Sequence, residues 1–139
     1  MSPWTRGSRD CIGKLTALLL AAHFAGWAAA LPLAMALTLL QAAHFAGYRR
    51  DLLAFEVQVR AAYLALLLAG VLPGCWPLHA IQFVGVNAML VFDYCLLARL
   101  LSLAPWNRGG PLTRVLLRRA FLSAPVHGSI LDALRSGGA

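Results

Sequence analysis

From Leu15 to Tyr48 the chain has no lysine, arginine, aspartate or glutamate, a run of thirty-four residues without a charge. A buried helix of a water-soluble domain rarely needs more than about 20 apolar residues, and about 20 already cross the hydrocarbon layer of a bilayer. Charge is scarce throughout: 12% of residues are charged against 60% hydrophobic, and the mean hydropathy is +0.72. Soluble domains carry about 25% charged residues. The composition therefore argues against water, and for lipid, as the solvent around most of this surface.

Cysteine is also sparse. Cys11, Cys75 and Cys95 form no CxxC and no close pair, and on the topology below they fall at three depths, which argues against an internal disulfide. Zinc-type spacing is missing. So are a glycine-rich phosphate loop, a nucleophile–base arrangement and a paired-carboxylate constellation. Catalysis is not expected, no cofactor is called for, and Cys95 on a buried helix reads as a small apolar group.

Basic charge is present in excess, with twelve Lys and Arg against five Asp and Glu for a net charge of +7. These residues sit at the chain ends, in one internal loop and at helix ends, not interleaved with aromatics as on a nucleic-acid groove. Such clustering sets membrane topology. Basic ends beside anionic headgroups gain roughly 1 kcal/mol per residue, so the expected partner is the bilayer, including anionic lipid, and not nucleic acid.

One straight helix over the uncharged run would overshoot a membrane by roughly 20 Å. Pro32 lacks a backbone donor but suits the first turn of a new helix, so the run is predicted to be a hairpin turning near Trp27–Pro32. Residues 1–31, with Ala28-Ala29-Ala30, have some features of a cleaved leader. The apolar run continues past that point, and an uncleaved anchor is expected.

The pattern predicts an all-α integral membrane protein, a bundle of four transmembrane helices with short loops. A polar N-terminus, 1–13, precedes a membrane domain, 14–104, with helices at about 12–29, 32–48, 52–72 and 78–103. A basic tail, 105–139, follows, with a surface helix read over 111–122 although Arg119 falls on its greasy face. Asp51 is expected to cap the third helix, with Glu56 and Arg60 paired at i,i+4. The alternation over Phe55–Arg60 also suits a strand, but a lone strand beside lipid would leave its backbone unpaired. Gly70–His79 reads as an uncharged turn with an interfacial Trp. Ser123–Ala139, with His127, reads as loose and solvated. Four crossings put all twelve basic residues on one side, which implies both termini in the cytoplasm at a bacterial inner membrane. AAHFAG occurs at 21–26 and 42–47. The spacing of Ala22 to Gly26 and of Ala43 to Gly47 is expected to bring helices close.

Polar side chains within lipid are costly and so mark candidate sites: His23, Gln41, His44, Gln82, Asn87 and Asp93. Counting residues puts His44 about 7–8 Å and Asp93 about 9 Å inside the cytoplasmic boundary, close enough to meet across helices two and four. A His44–Asp93 pair would titrate and relay a proton or cation, with His23 and Asn87 further along. The plainer reading is interhelical glue worth about 0.6 kcal/mol per group, with Arg60 or Arg99 as other partners for Asp93. Haem between His23 and His44 requires one common level, whereas counting leaves them about 6 Å apart in depth. His79 and Cys75 offer two soft-metal ligands without a third. The stretch from His79 to Arg108, with Tyr94-Cys95 and the closing Pro105-Trp106-Asn107-Arg108, looks like a family signature, and its residues by themselves point to no particular activity.

The expected function is that of a small accessory or assembly subunit of a larger membrane complex or homo-oligomer. The alternative is a small transporter or proton-linked carrier using His44 and Asp93. A haem-binding electron-transfer subunit comes third.

Overall fold

The structure, a computed structural model, describes residues 6–124 and 130–135. The expectation for His127 lies outside these described residues. Within them all regular structure is helical: α1 (Arg6–Phe24), α2 (Ala30–Arg49), α3 (Phe55–Ala69), α4 (Pro77–Phe92), α5 (Leu96–Ser102), α6 (Arg114–Leu122) and α7 (Ile130–Arg135). α1 and α3 each pack against both α2 and α4, so the four long helices form a square with α2 and α4 on one diagonal.

The first helix ends earlier than hydropathy indicates, at Phe24 and not near residue 29. Gly26 adopts φ 95°, Trp27 N–H donates to Ala22 O, and Gly26 N–H donates to His23 O. This paired closure requires a left-handed residue that glycine supplies without steric cost. Pro32 then lies in the first turn of α2, where a missing N–H is harmless. Asp51 does not cap α3. Its Oδ1 accepts from Leu53 N–H at 2.8 Å within the loop, and the residue preceding α3 is Ala54, which has no side-chain cap. Glu56 pairs with Arg49 at the end of α2, bridging two helices.

The expected helix over 78–103 is two helices. The chain bends by 95° between α4 and α5, at Asp93, which has φ 53°. Aspartate tolerates this conformation better than most residues. α5 then leads to two polar fastenings. Arg99 is buried and donates to Ala120 O at 2.6 Å, Ser123 Oγ at 2.8 Å and Ala124 O at 3.2 Å. Gln58 of α3 accepts from Trp106 Nε1 at 2.9 Å and from buried Asn107 Nδ2 at 2.8 Å.

The inner faces of α2 and α4 mix small or polar side chains with apolar ones, and many large apolar side chains point outward. α2 buries Ala30, Ala34, Thr38 and Gln41 while exposing Leu33, Leu39 and Leu40. α4 buries His79, Gln82 and Val86 while exposing Ile81, Val84, Val91 and Phe92. The apolar centre is small: Ala17, Leu20, Leu67 and Val86, with Met35, Phe83 and Leu90 packed around them. Among the described residues, α2 is the one helix long and apolar enough to cross a membrane, or one of up to two if α4 and α5 count as a broken span, which is fewer than the four spans expected.

The AAHFAG repeats do not carry the close packing expected of them. Gly26 lies in the turn and Gly47 faces outward, and a Cβ at either position meets nothing within 4 Å. Close approach occurs at Gly13, where a Cβ would sit 2.8 Å from Leu90 Cδ2, and at Gly70, where it would strike the His79 ring.

Candidate functional site

The helices enclose a cavity of about 380 Å³, within the range of small-molecule pockets. α1 contributes Ile12, Gly13 and Thr16, and α2 contributes Thr38 and Gln41. α3 supplies Val59, Arg60, Tyr63 and Leu66, and α4 supplies a stripe from Ile81 to Leu90. Asp93, Cys95 and three leucines of α5 close one end. The inward stripes of α2 and α4 carry Thr38, Gln41 and Gln82 at helical spacing, which places a few polar groups in a mainly apolar lining.

The polar groups are not equivalent. Thr16 Oγ1 donates to Ile12 O at 3.0 Å and Thr38 Oγ1 to Ala34 O at 2.8 Å, so both hydroxyl hydrogens are used within their own helices. Gln82 Nε2 donates to Tyr63 O at 2.9 Å, which fixes the orientation of the amide and leaves Oε1 as an acceptor. Gln82 is 5% exposed, and both Gln82 Oε1 and the Tyr63 hydroxyl are buried without a hydrogen-bond partner among the described residues. A buried polar atom left unmatched costs about 1–3 kcal/mol.

Among the described residues, Arg60 and Asp93 are the charged groups of the lining, and they carry opposite signs. Arg60 also lies 5.6 Å from the centre of the Phe45 ring.

The other residues singled out from sequence are dispersed. His44 is exposed on α2, its ring 6.0 Å from Phe45, and it does not line the cavity that Asp93 enters. The helices carrying this pair lie on a diagonal of the square. His23 lies at the opposite end, its ring 5.1 Å from His79 and edge-on to it. Fourteen residues of α2 separate Ala30 from His44, about 21 Å of helical rise, so His23 and His44 do not share the level that axial ligation of a haem requires. Asn87 Nδ2 donates to Phe83 O of its own helix at 2.7 Å. His79, read from sequence as a residue of the outer mouth, is buried, with Nε2 3.1 Å from Leu67 O. No cluster of three or more His, Cys, Asp or Glu able to hold a metal occurs among the described residues.

Sequence reasoning listed Gln41, Gln82 and Asp93 but missed Tyr63. A tyrosine in an apolar helix carries no charge signal; its position four residues after Val59 and three before Leu66, on one helix face, is the available clue. In the sequence Arg99 marks the membrane boundary, whereas in the structure its guanidinium caps α6.

Comparison with known proteins gives no match to a family model, to a curated protein sequence or to a solved structure.

Proposed function

We propose that this chain is a four-crossing membrane protein that holds a small membrane-dissolved molecule inside its bundle, as the binding or carrier component of a larger membrane assembly. One observation carries the reading. The bundle buries Thr16, Thr38, Gln41 and Gln82 beside a mainly apolar cavity, and many of its Leu, Ile, Val and Phe side chains face outward. Exposed Leu, Ile, Val and Phe in such density would be an aggregation liability in water, and in lipid they are the ordinary outer surface. α3 and α4, at 15 and 16 residues, rise only about 22–24 Å. Exposed Val71, Leu72, Trp27 and Trp76 at the uncharged end extend the apolar band, and a bilayer accommodates the remaining mismatch by local thinning.

Topology follows from charge. No Lys, Arg, Asp or Glu occurs in the turns 25–29 and 70–76, and all twelve basic residues cluster toward the other end. Both termini accordingly face the cytoplasm. The cavity favours a carrier or binding role over a purely architectural one.

Single cysteines in a background lacking Cys11, Cys75 and Cys95 test the embedding. Ala28→Cys and Pro73→Cys are expected to react with an impermeant thiol reagent applied to intact cells, and Gly109→Cys only after permeabilisation. The opposite pattern, or protein that stays in the supernatant after ultracentrifugation without detergent, overturns the reading.

A further inference from the structure

The tail helix α6 has two apolar faces, one packed and one exposed. Leu116, Leu117, Ala120 and Phe121 are buried or half-buried, and the helix packs against α5 and α7. The other five residues, Arg114, Arg118, Leu122, Val115 and Arg119, are exposed. At about 100° per residue they fall in that order around an arc of about 140°. Their centre is an apolar strip, with Val115 60% and Leu122 74% exposed. Arg114 and Arg118 border it on one side and Arg119 on the other. The sequence over 111–122 sets Arg119 on a greasy face. In the structure most of that grease is turned inward, and Arg119 edges a separate, narrower strip.

We propose that this outer face lies on the cytoplasmic leaflet of the bilayer. Val115 and Leu122 enter the acyl boundary, and the three guanidinium groups meet the phosphates of anionic phospholipids. The proposal rests on the membrane embedding argued above and is independent of the cavity.

Three observations select this occupant. An apolar strip with arginines along both edges suits a helix lying in the interface, where the strip dips inward and long basic side chains reach back to the headgroups. Charge favours anionic over zwitterionic lipid, because no aspartate or glutamate occurs between Asp93 and Asp132 to offset the arginines. Position agrees: after the 95° bend, α5 runs across the charged end of the bundle, and α6 is fastened to that segment through Tyr94 and Arg99. A nucleic-acid backbone would match the charge but leave Val115 and Leu122 without a partner, and they divide the basic groups that would have to track it.

The test uses the full chain, lacking Cys11, Cys75 and Cys95, in nanodiscs, with a nitroxide on Leu122→Cys. A second label, on Val84→Cys, marks an outward position of α4 that is 66% exposed. The discs hold phosphatidylcholine alone or with roughly one third phosphatidylglycerol to supply negative charge. Accessibility is read with oxygen, which concentrates in lipid, and with a water-soluble nickel chelate. Phosphatidylglycerol is expected to raise oxygen access at Leu122→Cys and lower its chelate access. Arg118→Gln should weaken that preference about fivefold, the share of one arginine beside an anionic surface, and Gln at 114, 118 and 119 together should abolish it. Lys at the same three positions keeps the charge and should retain most of the effect, which separates lost charge from a damaged helix. Equal chelate access in both lipid mixtures, with Val84→Cys still shielded, overturns the docking and leaves the embedding standing. Chelate access at Val84→Cys as high as at Leu122→Cys overturns both. Shielding of Leu122→Cys by a single-stranded oligonucleotide but not by phosphatidylglycerol gives the face to nucleic acid and overturns the lipid contact.

Discussion

Arg99 stacks on Tyr94, with its guanidinium carbon 4.2 Å from the ring centre, and both side chains reach the C-terminal end of α6. Tyr94 O–H donates to Phe121 O at 3.0 Å while Arg99 takes Ala120 O and Ala124 O. The end of a helix leaves carbonyls unpaired and carries partial negative charge, so a cation held by an aromatic face is a well-matched cap.

Replacing that cation is expected to detach α6 while sparing the bundle. Arg99→Gln leaves buried acceptors short of donors and should cost about 3 kcal/mol. Arg99→Lys should recover only part, because an ammonium lacks the planar fork that reaches several acceptors together. Amide hydrogen exchange in detergent should show protection lost over α6 and retained over α2 and α4. Uniform loss would indicate that the cap supports the whole fold.

Gly70→Ala should destabilise the uncharged end. The new methyl group would strike the ring of His79, which is buried and held against Leu67 O. Overpacking of this kind costs about 1–3 kcal/mol. Gly47→Ala, at an open outward position, should instead be neutral or mildly stabilising in the same thermal-unfolding measurement, since alanine is the better helix former.

Tyr63→Phe is expected to leave stability unchanged or raise it by about 1 kcal/mol in the absence of ligand, since it removes a buried hydroxyl that has no protein partner. A fall of that size in the unfolding midpoint would show that water or another group already satisfies the hydroxyl.

Gln58→Leu should unfasten the segment after α5. The substitution removes the acceptor shared by Trp106 and Asn107 and the donor to Leu53 O. With Asn107 buried, the cost is about 1–3 kcal/mol. Limited proteolysis should find new cleavage between Leu103 and Thr113.

The helical class was legible because uncharged apolar runs of this length leave no other regular structure able to satisfy its own backbone in lipid. The helix ends were less so. Gly26 closes α1 through a backbone geometry that hydropathy does not register, and Asp93 ends α4 in the middle of an apolar stretch for the same reason. Depth counting placed His44 beside Asp93 because it assumed an unbroken fourth helix, and the bend at Asp93 removes that common ruler. His23 was assigned toward mid-membrane, yet the early closure of α1 puts it at a helix end beside His79. Gln82 was visible as a polar residue in an apolar run, but its pairing with Tyr63 O depends on how α3 and α4 pack, which no local pattern encodes.

The 95° bend at Asp93 has a consequence for traffic. Beyond Phe92 the chain stops lengthening the bundle, and Leu96, Leu97 and Leu100 line the cavity from α5. On the proposed binding role, this short helix, latched to its neighbours by Tyr94, Arg99 and Asn107, would serve as a door on the charged side. A looser latch should speed both entry and escape of a guest while leaving the strength with which it is held nearly the same.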